Sequence, residues 1–342
     1  MLIYGRNATG KTNFGNALMD MHYTIFTPRF NGDTNLINAN SKDNYAHFSY
    51  VFDFDDEELN YQYSIYSNHE LKDEKLIIDG KTIFSCVFYE NEFNFDNLDY
   101  VDSKTTNYNI YLQSLDSGNL TGNVAETRLP FLRWLLNNSA LKNNSILFKL
   151  YNYVARMNMI TVNYDLTYRS HIMKNIFYES LDDREKIKDL EEFLNAMGIE
   201  CKLVLKKLPD GHNELYFDND KLISFYDNAS SGTLALSNLY FRLISNINDS
   251  SFVYLDEFDA FYHYEMSENV IKFLKNRYPQ CQIIMTTHNT NLMTNRLMRP
   301  DCMFILSREG VLTSLCNATK RELREGHNLE KMYISGEFED YE

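Results

Sequence analysis

The chain has 342 residues, 44% of them hydrophobic and 24% charged, with a formal net charge of −15. That length and balance exclude a disordered chain and leave room for a phosphate-binding α/β domain with large insertions. The acidic charge disfavours a protein that grips duplex DNA over its whole surface, and no apolar run approaches the ~18 residues of a membrane span. Protein partners, no membrane contact and a cytoplasmic location are the resulting expectations.

Met1–Tyr4 reads as an apolar strand, Gly5–Thr12 as a loop and Asn13–Met21 as the start of a helix. The loop, Gly5-Arg6-Asn7-Ala8-Thr9-Gly10-Lys11-Thr12, fits G-x-x-x-x-G-K-[ST] completely. Its glycines let backbone N–H groups face phosphate oxygens. Lys11 is expected to reach the β- and γ-phosphates and the Thr12 hydroxyl to ligate Mg2+. The helix from Asn13 adds its positive end. Short patterns match by chance, but here a strand precedes and a helix follows, as the chemistry requires.

Tyr45–Phe88 alternates at period two and reads as an antiparallel β subdomain with Asp79-Gly80 at a hairpin turn. Asn91–Asn123 is polar and reads as a long ordered loop. Leu129–Met157 reads as helical, with Leu132, Leu135 and Leu136 on one face and Leu147, Leu150 and Val154 on another. Asp182 and Glu185 form a capping-box pattern before a helix that Gly198 stops. Lys202–Phe217 reads as a hairpin around Pro209-Asp210-Gly211.

Asn228-Ala229-Ser230-Ser231-Gly232-Thr233-Leu234 precedes an apolar helix. Hydroxyls, free N–H groups and a helix dipole there make an anion site. An ordinary helix cap explains the same residues, and the pattern alone does not decide between the two. Phe252-Val253-Tyr254-Leu255-Asp256-Glu257 has the form of a Walker B strand, with Asp256 beside the Mg2+ shell and Glu257 placed to orient or deprotonate an attacking water. Taken alone, it is equally a strand ending in a solvated acidic turn. Ile283–Asn289 is the next apolar strand after a helix at Glu265–Asn276, and His288 at its end can hydrogen-bond a γ-phosphate. Met303–Leu306 and Val311–Leu315 then form a hairpin. The five cysteines show no C-x-x-C pairing and read as reduced, mostly buried thiols with no zinc site.

Taken in order, the P-loop, Ser-Ser-Gly-Thr (230–233), Leu-Asp-Glu (255–257) and Thr-Thr-His (286–288) resemble the ABC-type ATPase heads of the SMC-like and OLD-like group. The closer resemblance is to ATPase subunits of bacterial abortive-infection and anti-phage systems. It covers Met1–Asp20 and Tyr226–Phe338, and the tail Leu323–Tyr333 shares it. It implies an α/β fold: a P-loop NTPase head of ABC type with a mostly parallel core sheet, an antiparallel β subdomain and a helical arm insertion. The expected boundaries are 1–44 and 226–318 for the ATPase core, 45–125 for the β subdomain and loop, 126–225 for the arm and hairpin, and 319–342 for the tail.

The resemblance further implies ATP held by Gly5, Arg6, Asn7, Ala8, Thr9, Gly10, Lys11, Thr12 and Asn13, and Mg2+ held by Thr12 and Asp256. Glu257 and His288 would be catalytic, and Ser230, Ser231, Gly232 and Thr233 would close over ATP held by a second copy, in a homo-oligomer that is a dimer or larger. The implied function is an ATP-hydrolysing subunit of a defence complex that controls a separate effector protein. A nuclease is one candidate effector, because no clustered acidic signature remains outside the ATPase motifs. Two alternatives stand beside it: an ATPase that clamps DNA, with nucleic acid as partner, and a nucleotide sensor of low turnover. Members of the group carry two strands before the P-loop; this sequence starts at the P-loop strand, and the adenine contact stays unassigned. Gln62 and Gln113 lack the context of a glutamine loop. Asp259 and His263 match either a dimer-contact loop or a solvated helix start, and His327 with Glu330 reads as a solvated tail or a docking helix ahead of a metal pair.

Overall fold

The computed structural model describes residues 1–27, 36–38, 41–101, 106–117, 128–161, 171–181, 183–246 and 249–341. They fall into two compact units, Met1–Gly15 with Asn158–Glu342, and Asn16–Met157. The first unit opens with β1 (Leu2–Tyr4) and the start of α1 (Lys11–Phe26). The second holds the rest of α1, then β2 (Tyr45–Phe54), β3 (Glu57–Tyr66), β4 (Leu71–Ile78), β5 (Lys81–Val87), β6 (Glu92–Asn94), α2 (Asn109–Ser117), α3 (Phe131–Asn138) and α4 (Ile146–Ala155).

The chain returns along β7 (Met157–Thr161) to α5 (His171–Ser180), α6 (Arg184–Ala196), β8 (Leu203–Lys207), β9 (Asn213–Asp218), β10 (Leu222–Ser224) and α7 (Phe225–Asn228). It ends with α8 (Ser231–Asn246), β11 (Phe252–Asp256), α9 (Tyr264–Arg277), β12 (Gln282–Thr287), β13 (Met303–Leu306), β14 (Leu312–Ser314) and α10 (Leu329–Ile334).

The first unit is built on a six-stranded sheet in the order β14-β13-β1-β12-β11-β7. The pairs β1/β12, β1/β13 and β11/β12 are parallel, and β13/β14 is antiparallel. Every residue of β1 and β11 is buried, which is why both read as unbroken apolar runs. The register aligns Leu255, Met285 and Leu2 in one row. The carboxyl ends of β1, β11 and β12 therefore emerge at one edge, carrying Gly5, Glu257 and His288 with them. Leu236, Leu239 and Leu243 of α8 and Val270, Ile271 and Leu274 of α9 complete the core. The hairpin β8/β9 turns at Gly211, whose φ of +91° suits glycine.

In the second unit the sheet is antiparallel throughout, in the order β2-β3-β4-β5-β6. Asp79 and Gly80 join β4 to β5 with φ of 48° and 75°, the left-handed pair that a tight hairpin demands. Glu74 of β4 is buried, yet it accepts hydrogen bonds from the Tyr61 hydroxyl (2.8 Å), Phe131 N (2.6 Å) and Leu132 N (2.9 Å). It thus satisfies two free N–H groups at the start of α3, whose N-cap Pro130 makes no side-chain cap bond. Burial pushes its carboxyl up to about 7 against the pull of these three donors.

Several expectations need correction. The helix expected over Leu129–Met157 is two helices, because Ser145 starts α4 by accepting from Phe148 N, and Met157 already belongs to β7. Asn91–Asn123 contains β6, a 3-10 turn at Leu98–Val101 and α2; residues 102–105 and 118–123 lie outside the described set. Aromatic burial orders this stretch: Phe95 and Tyr111 pack on Phe131 at centroid distances of 4.4 and 4.9 Å. The cap of α6 is Asp183, accepting from Glu185 N, while Asp182 lies outside the described residues. Of the cysteines only Cys86 is buried, and Cys302 and Cys316 are exposed.

Candidate functional site

The loop between β1 and α1 is held by its own contacts. Gly10 has φ of +94° and Ala8 of +62°, so one non-glycine residue also accepts the left-handed conformation. Gly5 is required by close approach: a Cβ there would lie 2.6 Å from Thr9 Oγ1 and 3.3 Å from Leu306 O. The Thr9 hydroxyl donates to Arg6 O at 3.0 Å. Arg6, Asn7, Ala8, Thr12 and Asn13 are exposed, whereas Lys11 is 5% exposed.

The Lys11 ammonium donates to Gly5 O (2.9 Å) and Arg6 O (3.1 Å) and lies 3.1 Å from His288 Nδ1. Burial lowers its affinity for the proton, while Glu257, Asp256 and Asp259 pull the other way. The start of α1 is pinned to β11 by the Tyr254 hydroxyl, which donates to Lys11 O at 2.5 Å. A Cβ on Gly15 would meet the Tyr254 ring at 2.5 Å, so only glycine lets helix and ring approach this closely.

Asp256 is 1% exposed and both its oxygens are engaged. Thr12 Oγ1 donates to Oδ2 at 2.6 Å and Thr286 Oγ1 to Oδ1 at 2.9 Å. Thr286 Oγ1 in turn accepts from Glu257 N at 2.7 Å. Glu257 has φ of 51°, a left-handed turn immediately after β11 that ends the strand's pleat at the acidic pair. Its Oε1 lies 3.1 Å from His288 Nε2, and His288 Nδ1 lies 2.9 Å from Gly5 O.

Two proton arrangements fit this imidazole. With both nitrogens protonated it donates to Gly5 O and to Glu257. As the Nε2–H tautomer it donates to Glu257 and accepts from Lys11. Close by, Thr287 Oγ1 donates to Asp259 at 2.6 Å, and burial raises the Asp259 carboxyl. His263 directly precedes α9 without a side-chain cap bond.

Five of the expected side chains, Lys11, Thr12, Asp256, Glu257 and His288, are therefore joined by hydrogen-bond distances within one chain. Thr12 and Asp256 bring hard oxygens side by side, the donor type that could hold Mg2+. Among the described residues no three His, Cys, Asp or Glu side chains gather as a metal cluster, so a cation here would complete its shell with phosphate oxygens and water.

The segment Ser230–Thr233 stands apart. Ser230 is the residue that caps α8, accepting from Thr233 N at 3.1 Å, while Ser231 is exposed at its first turn. A Cβ on Gly232 would lie 3.0 Å from Phe261 O, so this glycine allows α8 to lie against the loop after β11. Among the described residues no hydrogen bond joins Ser230–Thr233 to Gly5–Asn13.

Two residues that lie within quoted segments have placements that the motifs do not show. Thr286 links Asp256 to Glu257, a role visible only once β12 is aligned beside β11. Tyr333 of α10 lines an open cleft of about 340 Å3 together with Gly5, Arg6, Asn7, His288 and Thr290. The tail does dock: Leu329 and Phe338 are buried, and His327 Nδ1 accepts from Arg324 N within its own turn.

A family model described as "AAA domain, putative AbiEii toxin, Type IV TA system" matches residues 1–294. No curated protein matches the sequence. Among solved structures, the SMC head domain from Thermotoga maritima is 14% identical with a TM-score of 0.43, covering 92% of this chain and 89% of that one. An SMC head bound to the C-terminal winged-helix domain of ScpA is 18% identical with a TM-score of 0.46, covering 92% and 90%. An SMC head with an extended coiled coil, bound to the C-terminal domain of ScpA derived from Pyrococcus furiosus, is 14% identical with a TM-score of 0.43, covering 92% and 90%. No helix among the described residues is long and apolar enough to cross a membrane.

Proposed function

The chain belongs to this family of AAA-type P-loop ATPase domains, and from that premise we propose that it binds ATP with Mg2+, hydrolyses it between two copies of itself, and so controls a separate effector protein. The observation that carries the reading is the convergence of Lys11, Thr12, Asp256, Glu257 and His288 from three separate strand ends. Lys11 would exchange its bonds to Gly5 O and Arg6 O for phosphate oxygens. Thr12 and Asp256 would hold Mg2+, which when bound neutralises charge between the β- and γ-phosphates.

Glu257 is the base in this reading. Its carboxylate accepts a proton as the water oxygen bonds to the γ-phosphorus, and the bond from that phosphorus to the β-phosphate oxygen breaks. His288, bonded to Glu257 and to the loop, orients that carboxylate and contacts the γ-phosphate. Ser231 and Gly232 of a second copy would cap the phosphate, adding the α8 dipole to the Lys11 charge. The family description names a toxin of a TA system, and that wording supports a partner protein for this chain.

The test is steady-state ATP turnover by the purified chain and by Glu257→Gln, with light scattering to follow association. Glu257→Gln should retain ATP, slow hydrolysis by about 100-fold or more and accumulate as a closed dimer. Undiminished turnover would remove Glu257 from its role.

A further inference from the structure

The segment after β14 brings α10 to the phosphate-loop edge of the sheet. Asn328 caps α10 by accepting from Lys331 N at 2.8 Å. Leu329 at the start of the helix and Phe338 after it are 1% and 0% exposed. Gly336 turns the chain with φ of 82°, and Glu337 accepts from the Thr319 hydroxyl at 2.7 Å. α10 packs against the 3-10 turn Thr290–Leu292, which follows His288 by one residue. Tyr333 consequently faces a cleft whose other walls are the Gly5–Asn7 turn, His288 and Thr290. Tyr4, buried in the core of the sheet, also lines this cleft.

The walls of the cleft are the groups that restrain Lys11. Its ammonium is bonded to Gly5 O and Arg6 O and touches His288 Nδ1. When Lys11 moves to a phosphate, each of these groups loses one partner, and what still holds them is the Gly5 O–His288 Nδ1 contact, the Thr9 hydroxyl on Arg6 O and the His288–Glu257 contact. Tyr333 is the side chain on the far side of that space. We propose that Tyr333 is a positioning residue for nucleotide turnover: its ring braces the Gly5–Asn7 turn and His288 from outside without touching the nucleotide. The proposal rests on the ATPase reading given above.

The experiment compares ATP affinity, kcat and melting temperature for the full chain, Tyr333→Ala, Tyr333→Leu, Tyr333→Phe and the exposed neighbour Ile334→Ala, with Tyr333→Ala repeated in a His288→Ala background. Tyr333→Ala and Tyr333→Leu should lower kcat about tenfold while ATP affinity stays within about threefold. Tyr333→Phe and Ile334→Ala should match the parent. In the His288→Ala background the tyrosine change should cost less than about twofold more, because both act on one geometry. Tyr333→Leu keeps apolar packing and stands in if the alanine variant does not fold. A parent that hydrolyses ATP beside a Tyr333→Leu that does so equally well overturns this proposal alone, as does a fully additive loss in the double variant. A parent that neither binds nor hydrolyses ATP overturns the ATPase reading and this proposal with it.

Discussion

Thr12 Oγ1 donates to Asp256 Oδ2 at 2.6 Å, joining two residues 244 positions apart in sequence. The relationship continues through Asp256 Oδ1 to Thr286, and from Thr286 to the backbone of Glu257. One hydroxyl, that of Thr286, thus serves as donor to the first acidic residue and acceptor for the second.

Thr286→Val tests that link. Valine keeps the volume but removes both bonds in a fully buried place. The change should cost about 1–3 kcal/mol of stability and lower ATP turnover by about tenfold through the displaced Glu257. Denaturant midpoints and steady-state rates are the measurements. If both stay at parental values, the Thr286 bridge has no functional weight.

The composite site predicts a specific crosslink. Asn7 and Ser231 are both exposed. With the exposed Cys302 and Cys316 replaced by serine, a chain carrying Asn7→Cys and Ser231→Cys should crosslink between chains when ATP and Mg2+ are present. Crosslinks formed only within a chain would exclude a site shared by two copies.

Stability should depend on pH through Glu74. Its carboxyl sits at about 7 in the folded chain, against an ordinary 4.5, with burial as the main cause. A raised acid binds its proton more tightly when folded, so its contribution is full below about 4.5 and is lost as pH rises through about 7. The loss is on the order of 3 kcal/mol at most. Denaturation midpoints at pH 5 and pH 8 should diverge for the parent and converge for Glu74→Gln. Equal pH dependence in the two would show that Glu74 does not titrate in this range.

The parts of the site that are legible in sequence are those whose chemistry is written in consecutive residues. Gly5–Thr12, Asp256-Glu257 and His288 each carry their signal locally, and apolar runs before them place them at strand ends. What stayed hidden depends on contacts between distant segments. The Met157–Thr161 strand carries no period of its own, so it goes unread in the sequence and its first residue, Met157, falls at the end of an expected helix. The buried Glu74 looked like one more polar position on an alternating strand; only α3 arriving at its carboxylate explains it. Capping was foreseen in kind but displaced by one residue, from Asp182 to Asp183, since neighbouring acids are interchangeable until the backbone chooses one.

The bonds from Lys11 to Gly5 O and Arg6 O have a thermodynamic consequence for any ligand. They already fix the loop's shape, so its conformational entropy is lost at folding and not at association. Ligand capture is then an exchange of partners around one ammonium, with little ordering of chain. Its temperature dependence should accordingly be that of a rigid receptor, with a small heat-capacity change for the loop itself.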